Sequence, residues 1–388
     1  MSQESEKYRT ETPIVEYPFQ IVGLSKMGGA VSNPNSTGNA EENQHSPRTI
    51  SIREEKNLAK RGPSKPALEK QGFQQDTEFT IRIVADLDRN AVQEDGSVQS
   101  VFKEGKLKQN IETGRYSIVW GKEDILTSNI TGRDRRGMEL SELKRVGMQL
   151  LTVCDKTGTI YEINAVESDP SLQPIMSVIG GNGAGEEPMK MEWMTVKDEE
   201  LYIGSNATDC FDGQDGTYLH SWHKWIVRID KNKDVAREDW TKKYKLIQKA
   251  AGVPDSGYIV HEAFEWSVCM QSWVILPRHV SHQSLEEALI EGTYDKKGTN
   301  MMLIADENFE NIEAISIYGN AIPTHGFSSF SFVPGTYDQV IVAIKTMETQ
   351  DPPTQKSFAT VFNVNGNVLM DETEIPGGKK YEGIEFIL

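Results

Sequence analysis

The sequence predicts an all-β protein, a five-bladed β-propeller, and three observations lead there. Strand-like segments follow one another from residue 78 to the end, with little helical periodicity between them. Their pattern repeats four times, each time opening on an acidic or hydroxyl-bearing residue. The two ends of the chain supply the halves of one further unit.

Taken in order, EFTIRIVADLD (78–88) opens the ordered part. YSIVWGK and ILTSNI add strands to that unit, which lacks an inner strand of the repeating type. The four full units are MELSEL, QLLTVCD and TIYEIN; MEWMTV, LYIGS and KWIVRID; HEAFEWS, WVILPR and MMLIADE; FSSFSFV, VIVAIK and FATVFNV. Taking Glu142, Glu192, Glu262, Ser328 and Glu382 as markers, the spacings are 50, 70, 66 and 54 residues. Sheet units at such spacing mean a solenoid or a propeller. YEGIEFIL carries the last marker and has no room for a unit after it. Pairing it with the N-terminal strands completes a fifth sheet, closes the ring and removes exposed edges. Two segments read as helices: DWTKKYKLIQKAAG (239–252), stopped by Gly252, and SLEEALIEG (284–292).

Residues 1–75 are polar and irregular. SNPNSTGNAEENQHSP has almost nothing to bury, so this stretch reads as a disordered arm ahead of a propeller domain over 78–388.

The chain has 388 residues, with 58 acidic and 41 basic side chains and a net charge of −17. That balance excludes a general nucleic-acid binder, which needs a basic face. It suits cation binding. Three cysteines exclude a dense disulfide framework; Cys154 and Cys269 lie in apolar runs and are expected in the core. No stretch approaches the roughly 18 apolar residues of a membrane span. The first residues do not read as a signal peptide. Sequons at Asn35, Asn129 and Asn206 hint at secretion.

The innermost strand of each propeller blade lines a central channel. Glu142, Glu192, Glu262, Ser328 and Glu382 are therefore expected to converge on the axis, with Ser141 beside Glu142. Carboxylates brought within a few ångströms repel by about 4 kcal/mol per close pair. They require a cation or protons. Oxygen donors without His or Cys favour a hard ion, and a fivefold ring suits Ca2+ better than the strict octahedron of Mg2+. The competing reading is that each is an ordinary surface charge at a strand end.

RGMELSEL, MEWMTVKDEELYIG, GYIVHEAFEWS, PTHGFSSFSFVPGTYDQVIVAIK and YEGIEFI resemble the calcium-dependent soluble apyrases, the calcium-activated nucleotidases. The resemblance runs over about 78–388 in order. It implies a five-bladed propeller, a central Ca2+ and hydrolysis of nucleoside di- and triphosphates in the secretory pathway or outside the cell. It places the metal ligands on Ser141, Glu142, Glu192, Glu262, Ser328 and Glu382. It also implies a Ca2+-dependent homodimer, for which the sequence shows no face. The chain departs from the family at Ala263, where serine is usual, and in having a long polar arm with no leader or anchor.

Phosphoanhydride hydrolysis needs a divalent ion, cationic side chains, an in-line water and a group that orients it. For the water the candidates are Asp86 and Asp88, carboxylates at i and i+2 that would share one strand face; the resemblance favours Asp88. The alternative is that both cap the strand. For the phosphates, Arg278 comes first, then Arg136, expected to pair with Glu139 or a neighbour when not on phosphate, and Lys190; Lys103 and Lys106 are weaker. His325 reads as a core residue or a phosphate contact. GGNGAGEE (180–187) reads as a flexible turn, with a substrate-lining loop as the alternative. Trp193 and Trp266 read as wedges between blades, with base stacking as the alternative. A propeller lactonase and a scaffold with a structural ion are the competing functions.

Overall fold

The computed structural model describes residues 77–387 except 166–168, 212–217 and 351–352. The arm expected over 1–75 lies outside the described residues. In chain order the strands are β1 (Thr77–Asp86), β2 (Val98–Gln109), β3 (Tyr116–Ser128), β4 (Leu140–Val146), β5 (Gln149–Cys154), β6 (Thr159–Asn164) and β7 (Ser171–Ser177). Then come β8 (Trp193–Lys197), β9 (Glu200–Gly204), β10 (Cys210–Phe211), β11 (Tyr218–His220), β12 (Trp225–Ile229) and β13 (Val235–Asp239). The rest are β14 (Tyr258–Ser267), β15 (Ser272–Ser281), β16 (Met301–Asp306), β17 (Ile312–Ser316), β18 (Gly326–Phe332), β19 (Val340–Gln350), β20 (Pro353–Asn363), β21 (Val368–Glu374) and β22 (Lys380–Ile387).

Five four-stranded antiparallel sheets result. Blade 1 is β22-β1-β2-β3, blade 2 β4 to β7, blade 3 β8-β9-β12-β13, blade 4 β14 to β17 and blade 5 β18 to β21. The hairpin β10–β11 is an insertion in blade 3. The last strand is thus the inner strand of the first blade, the closure expected from YEGIEFIL.

The core explains the strand sequences. It divides into five main clusters, one in each wedge between neighbouring blades. A blade strand is covered on both faces, so alternation gives way to continuous apolar runs. In β5, Leu151 and Val153 face the wedge toward blade 3, while Leu150 and Cys154 face blade 1. The wedge between blades 3 and 4 stacks Trp193 on Phe264 at 4.7 Å and adds Trp240, Trp266 and Trp273. Trp193 and Trp266 are therefore packing residues. Removing a ring such as Phe264 would cost about 3–5 kcal/mol.

The two helices sit where expected. α1 (Thr241–Ala250) buries Tyr244 and Ile247, three apart on one face, and ends at Gly252 with φ +72°. α2 (Leu285–Ile290) starts with a capping box between Ser284 and Glu287. Among the described residues no helix is long and apolar enough to cross a membrane.

Three local expectations are corrected. YSIVWGK and ILTSNI belong to one long strand, β3, and the partner between it and β1 is β2, VQSVFKEGKLKQ. Its lysines obscure the pattern because their charges are met within the fold: Lys103 Nζ donates to Glu123 at 2.7 Å and Lys106 Nζ to Thr80 Oγ1 at 2.6 Å. Cys269 is exposed rather than buried, because it lies in the turn between β14 and β15. Cys154 is buried, and all three thiols are free.

Candidate metal centre and phosphate site

Each inner strand carries a β-bulge or an equivalent break at its marker. Pairing skips Ser141 between Leu140 and Glu142, Glu262 between His261 and Ala263, Ser328 between Phe327 and Ser329, and Glu382 between Tyr381 and Gly383. Glu192 lies just before β8, its N–H donating to Gly204 O at 2.9 Å. A bulge leaves one residue unpaired and re-aims its side chain, a device common beside active sites. The structural equivalent of the other markers in blade 2 is therefore Ser141. Glu142 occupies the next position, its Oε1 accepting from Ser329 Oγ at 2.6 Å and from the Leu143 N–H at 2.9 Å. Gly383 allows β22 to close on β4: a Cβ there would lie 2.6 Å from the Leu143 nitrogen.

The marker carboxylates are knitted together by cations. Arg278 reaches Glu262 and, at 3.0 Å, Glu382, with Glu348 at 3.7 Å. Lys380 donates to Asp86 at 2.7 Å and lies 3.2 Å from Glu382. Lys190 bridges Asp155 at 2.7 Å and Glu192 at 2.5 Å. Arg136 makes a fork to both oxygens of Glu139 at 2.6 Å and reaches Asp88 at 3.1 Å. Eight carboxyl groups (Asp86, Asp88, Glu139, Asp155, Glu192, Glu262, Glu348, Glu382) thus meet four cations, a formal surplus of four negative charges. Such a surplus in a buried site needs a cation or protons.

Asp86 and Asp88 do converge, though not on one strand face. β1 ends at Asp86, and Asp88 opens a 3-10 turn with φ +48°, a strained conformation for a non-glycine residue. The turn is closed by the Asp88 N–H donating to Asp86 Oδ1 at 2.7 Å. Oxygens of Asp86, Asp88 and Glu139 lie within 4.8 Å of one another.

Environment separates these groups. Burial pushes the Asp86 carboxyl up, but the charge and hydrogen bond of Lys380 prevail and hold it below the usual range. Burial and then the Asp86 charge raise Asp88. Glu139 is pushed up to about 8 by burial and by Asp86 and Asp155. Burial raises Glu192 to about 7 and lifts Glu382 well above its ordinary value.

Three residues beyond Ser141, Glu192, Glu262, Ser328 and Glu382 lies a second tier: Lys144, Thr195, Glu265, Ser331 and Glu385. Lys144 bonds Glu265 and lies 3.4 Å from Glu385; Thr195 Oγ1 donates to Glu265 at 2.6 Å and Ser331 Oγ to Glu385 at 3.0 Å. This tier contains its own cation. The first tier, whose bridging cations leave a surplus of carboxylates, also contains Ser141 Oγ, buried and without a hydrogen-bond partner among the described residues. An orphaned hydroxyl beside carboxylates, with oxygen as the only donor type, fits a hard cation.

The remaining sequence candidates lie elsewhere. His325 Nδ1 engages Glu372 and its ring stacks on Phe358 at 4.0 Å; none of the marker residues is among its partners. Lys103 and Lys106 lie on β2 with the partners already given. Sequence reasoning missed Lys380, Asp155 and Glu348, and took Glu139 only as a partner of Arg136. Lys380 had a signal: it precedes Glu382 by two residues, as Lys190 precedes Glu192.

Fold and site together define a five-bladed propeller with an acidic, oxygen-lined axial centre bridged by arginine and lysine side chains. The sequence model of the Apyrase family matches residues 86–387. A soluble calcium-activated nucleotidase 1 of Rattus norvegicus is 36% identical over 310 residues, 80% of this chain and 74% of its own length. Apyrase apy-1 of Caenorhabditis elegans is 34% identical over 312 residues, 80% of this chain and 84% of that protein. An apyrase of Cimex lectularius is 32% identical over 98% of this chain and 99% of its own. The chain belongs to the apyrase family.

Proposed function

We propose that the protein hydrolyses nucleoside di- and triphosphates in a Ca2+-dependent reaction. The observation that carries this reading is the axial tier. Five oxygen-bearing side chains occupy one position of a fivefold repeat, four of them on bulges, and phosphate-type cations bridge their carboxylates. The family membership and the relatives' names support it.

Ser141, Glu192, Glu262, Ser328 and Glu382 would hold the ion. Glu142, turned toward Ser329, supports them from the next position. Bound there, Ca2+ would neutralise phosphate charge and hold the attacking water. Arg278, Arg136, Lys190 and Lys380 exchange a carboxylate partner for phosphate oxygens, with Arg136 and Arg278 offering a fork. Asp88, raised by burial, accepts a proton from the water, while Asp86, held ionised by Lys380, fixes the Asp88 turn. The water oxygen forms a bond to the terminal phosphorus. The anhydride P–O bond breaks, and its electrons leave with the nucleotide that is one phosphate shorter. The pairing of the two aspartates follows a general pattern: environments that push two pKa values apart assign base and stabiliser. We place this activity in the secretory lumen or outside the cell.

The test sets UDP, GDP, ADP and ATP against a lactone panel, in Ca2+ and in EGTA. Phosphate release in Ca2+ alone, with lactones untouched, supports the reading. Lactone turnover without phosphate release would replace it with the lactonase reading. Ca2+-dependent melting with neither activity would leave a scaffold with a structural ion.

A further inference from the structure

We propose that Gln355 of blade 5 is the positioning residue of Asp88: its amide holds Oδ2 of the carboxylate, leaving Oδ1 to take the proton of the attacking water. The proposal rests on the hydrolase reading above, with Asp88 as base. It adds which oxygen reacts and what fixes it.

Local structure leaves the Asp88 side chain unanchored. The residue opens a 3-10 turn at φ +48°, just past the end of β1. The turn's own bond, from the Asp88 N–H to Asp86 Oδ1, fixes the backbone and not the carboxylate. Two side chains do that. Arg136 Nη2 donates to Oδ1 at 3.1 Å, and Gln355 Nε2 donates to Oδ2 at 2.5 Å. An ionised carboxylate only accepts, so Gln355 turns its nitrogen and not its oxygen to Asp88.

The two donors respond differently to substrate. Arg136 is a phosphate ligand in the reaction, so phosphate draws it off Oδ1. Gln355 is uncharged, and a neutral amide competes poorly with guanidinium and ammonium groups for phosphate. Its bond to Oδ2 therefore persists. Oδ1 is then free at the place where Arg136 meets the phosphate. The water's O–H bond breaks there, and the proton goes to Oδ1.

Gln355 is set on a rigid element. In the β19–β20 ladder it lies directly opposite Glu348. Residues opposite each other in an antiparallel pair share one face of the sheet. Glu348 lies 3.7 Å from Arg278 and 3.9 Å from Lys380. One rung of blade 5 thus sets the base and the phosphate arginine in a common frame. Asp88 and Gln355 stand 267 residues apart, and they meet where the ring closes, blade 1 against blade 5.

The charges around Asp88 give the contact a pH signature. Asp86, Glu139 and Glu348 face it as acids, Arg136 and Lys380 as bases. Burial and then the Asp86 charge raise its carboxyl, while the Gln355 bond, made to the ionised form, lowers it. Removing the donor therefore raises Asp88 further, and an ammonium in the donor's place lowers it.

The experiment measures kcat and KM for UDP in Ca2+, over about pH 5 to 9, for the full chain, Gln355→Leu and Gln355→Lys. Gln355→Leu is also made in an Asp88→Ala background. Leucine keeps the bulk and loses the donor. Its kcat is expected to fall about 10- to 100-fold, the span of one hydrogen bond to a charged group, with KM within about twofold. The acidic limb of kcat is expected to move up by about one pH unit in Gln355→Leu and down in Gln355→Lys. Without Asp88, Gln355→Leu is expected to change kcat by less than about twofold, since nothing remains for it to position. A limb that stays in place or moves the same way in both variants would overturn the proposal. So would a loss in Gln355→Leu that is undiminished in the Asp88→Ala background. If the wild type releases phosphate and Asp88→Ala stays within about tenfold of it, the base assignment fails and Gln355 loses its role, while the hydrolase reading stands. No phosphate release from the wild type would sink the hydrolase reading and this proposal with it.

Discussion

Lys144 offers a test of the two-tier axis that does not depend on chemistry. Its ammonium is the cation of the second tier, bonded to Glu265 and 3.4 Å from Glu385, with side-chain exposures of 14%, 3% and 8% for the three groups. Lys144→Met removes the charge and keeps the stem. Removing one partner of a buried ion pair costs about 3–5 kcal/mol, because the remaining carboxylates lose their compensation. A domain of about 310 ordered residues has an unfolding entropy near 0.65 kcal/mol per kelvin. The melting temperature is therefore expected to fall by about 5–8 °C at pH 8. At pH 5.5 the loss should shrink, since Glu265, already lifted to about 7 by burial despite Lys144, takes up a proton. The double change Lys144→Met with Glu265→Gln should recover part of the loss at pH 8. The assay is thermal melting by circular dichroism in EGTA. A fall of less than about 2 °C, or one equal at both pH values, would refute the reasoning.

Two further outcomes follow from the same geometry. Asp88→Ala should lower kcat by about 10²- to 10⁴-fold while the melting temperature holds, since a general base is lost from a residue in a strained turn; activity within tenfold of wild type would remove Asp88 from the mechanism. Glu265 also sets a pH dependence: an unfolded glutamate titrates near 4.5 and the buried one near 7, so the folded state holds the extra proton between them. Stability contributed by that proton is present below about pH 4.5 and lost as pH rises through 7, and wild type should lose about 2.5 kcal/mol relative to Glu265→Gln between pH 5 and 8. Parallel pH curves by urea unfolding would contradict it.

Much of this architecture was legible because propeller strands face two wedges and must be apolar on both sides. QLLTVC shows this: each of its faces enters a different cluster. β2 escaped notice because its lysines are matched by Glu123 and Thr80, partners that no local pattern reveals. The axial markers were found by spacing, but spacing counts residues where a sheet counts paired positions. Ser141 is the bulged residue in blade 2, so the register stands one residue from the glutamate that the eye picks out. The second tier follows the same repeat, three residues beyond each first-tier position, and leaves the same trace in the sequence. Asp155 and Glu348 left no such trace. They reach the axis from the turn between β5 and β6 and from β19, outside the repeat position, and only folding brings them to Lys190 and Arg278. His325, read as a core residue or a phosphate contact, is taken up by Glu372 and Phe358.

The central claim is that the first tier holds the ion on which phosphate release depends. The most direct measurement pairs Ca2+ titration calorimetry with phosphate release from UDP and GDP for wild type and Glu382→Gln, in Ca2+, Mg2+ and EGTA. The account predicts one axial Ca2+ whose affinity drops at least tenfold in the variant, activity in Ca2+ but not in Mg2+ or EGTA, and recovery of variant activity as Ca2+ is raised. Full activity in EGTA, or Ca2+ binding unaltered by Glu382→Gln, would contradict it.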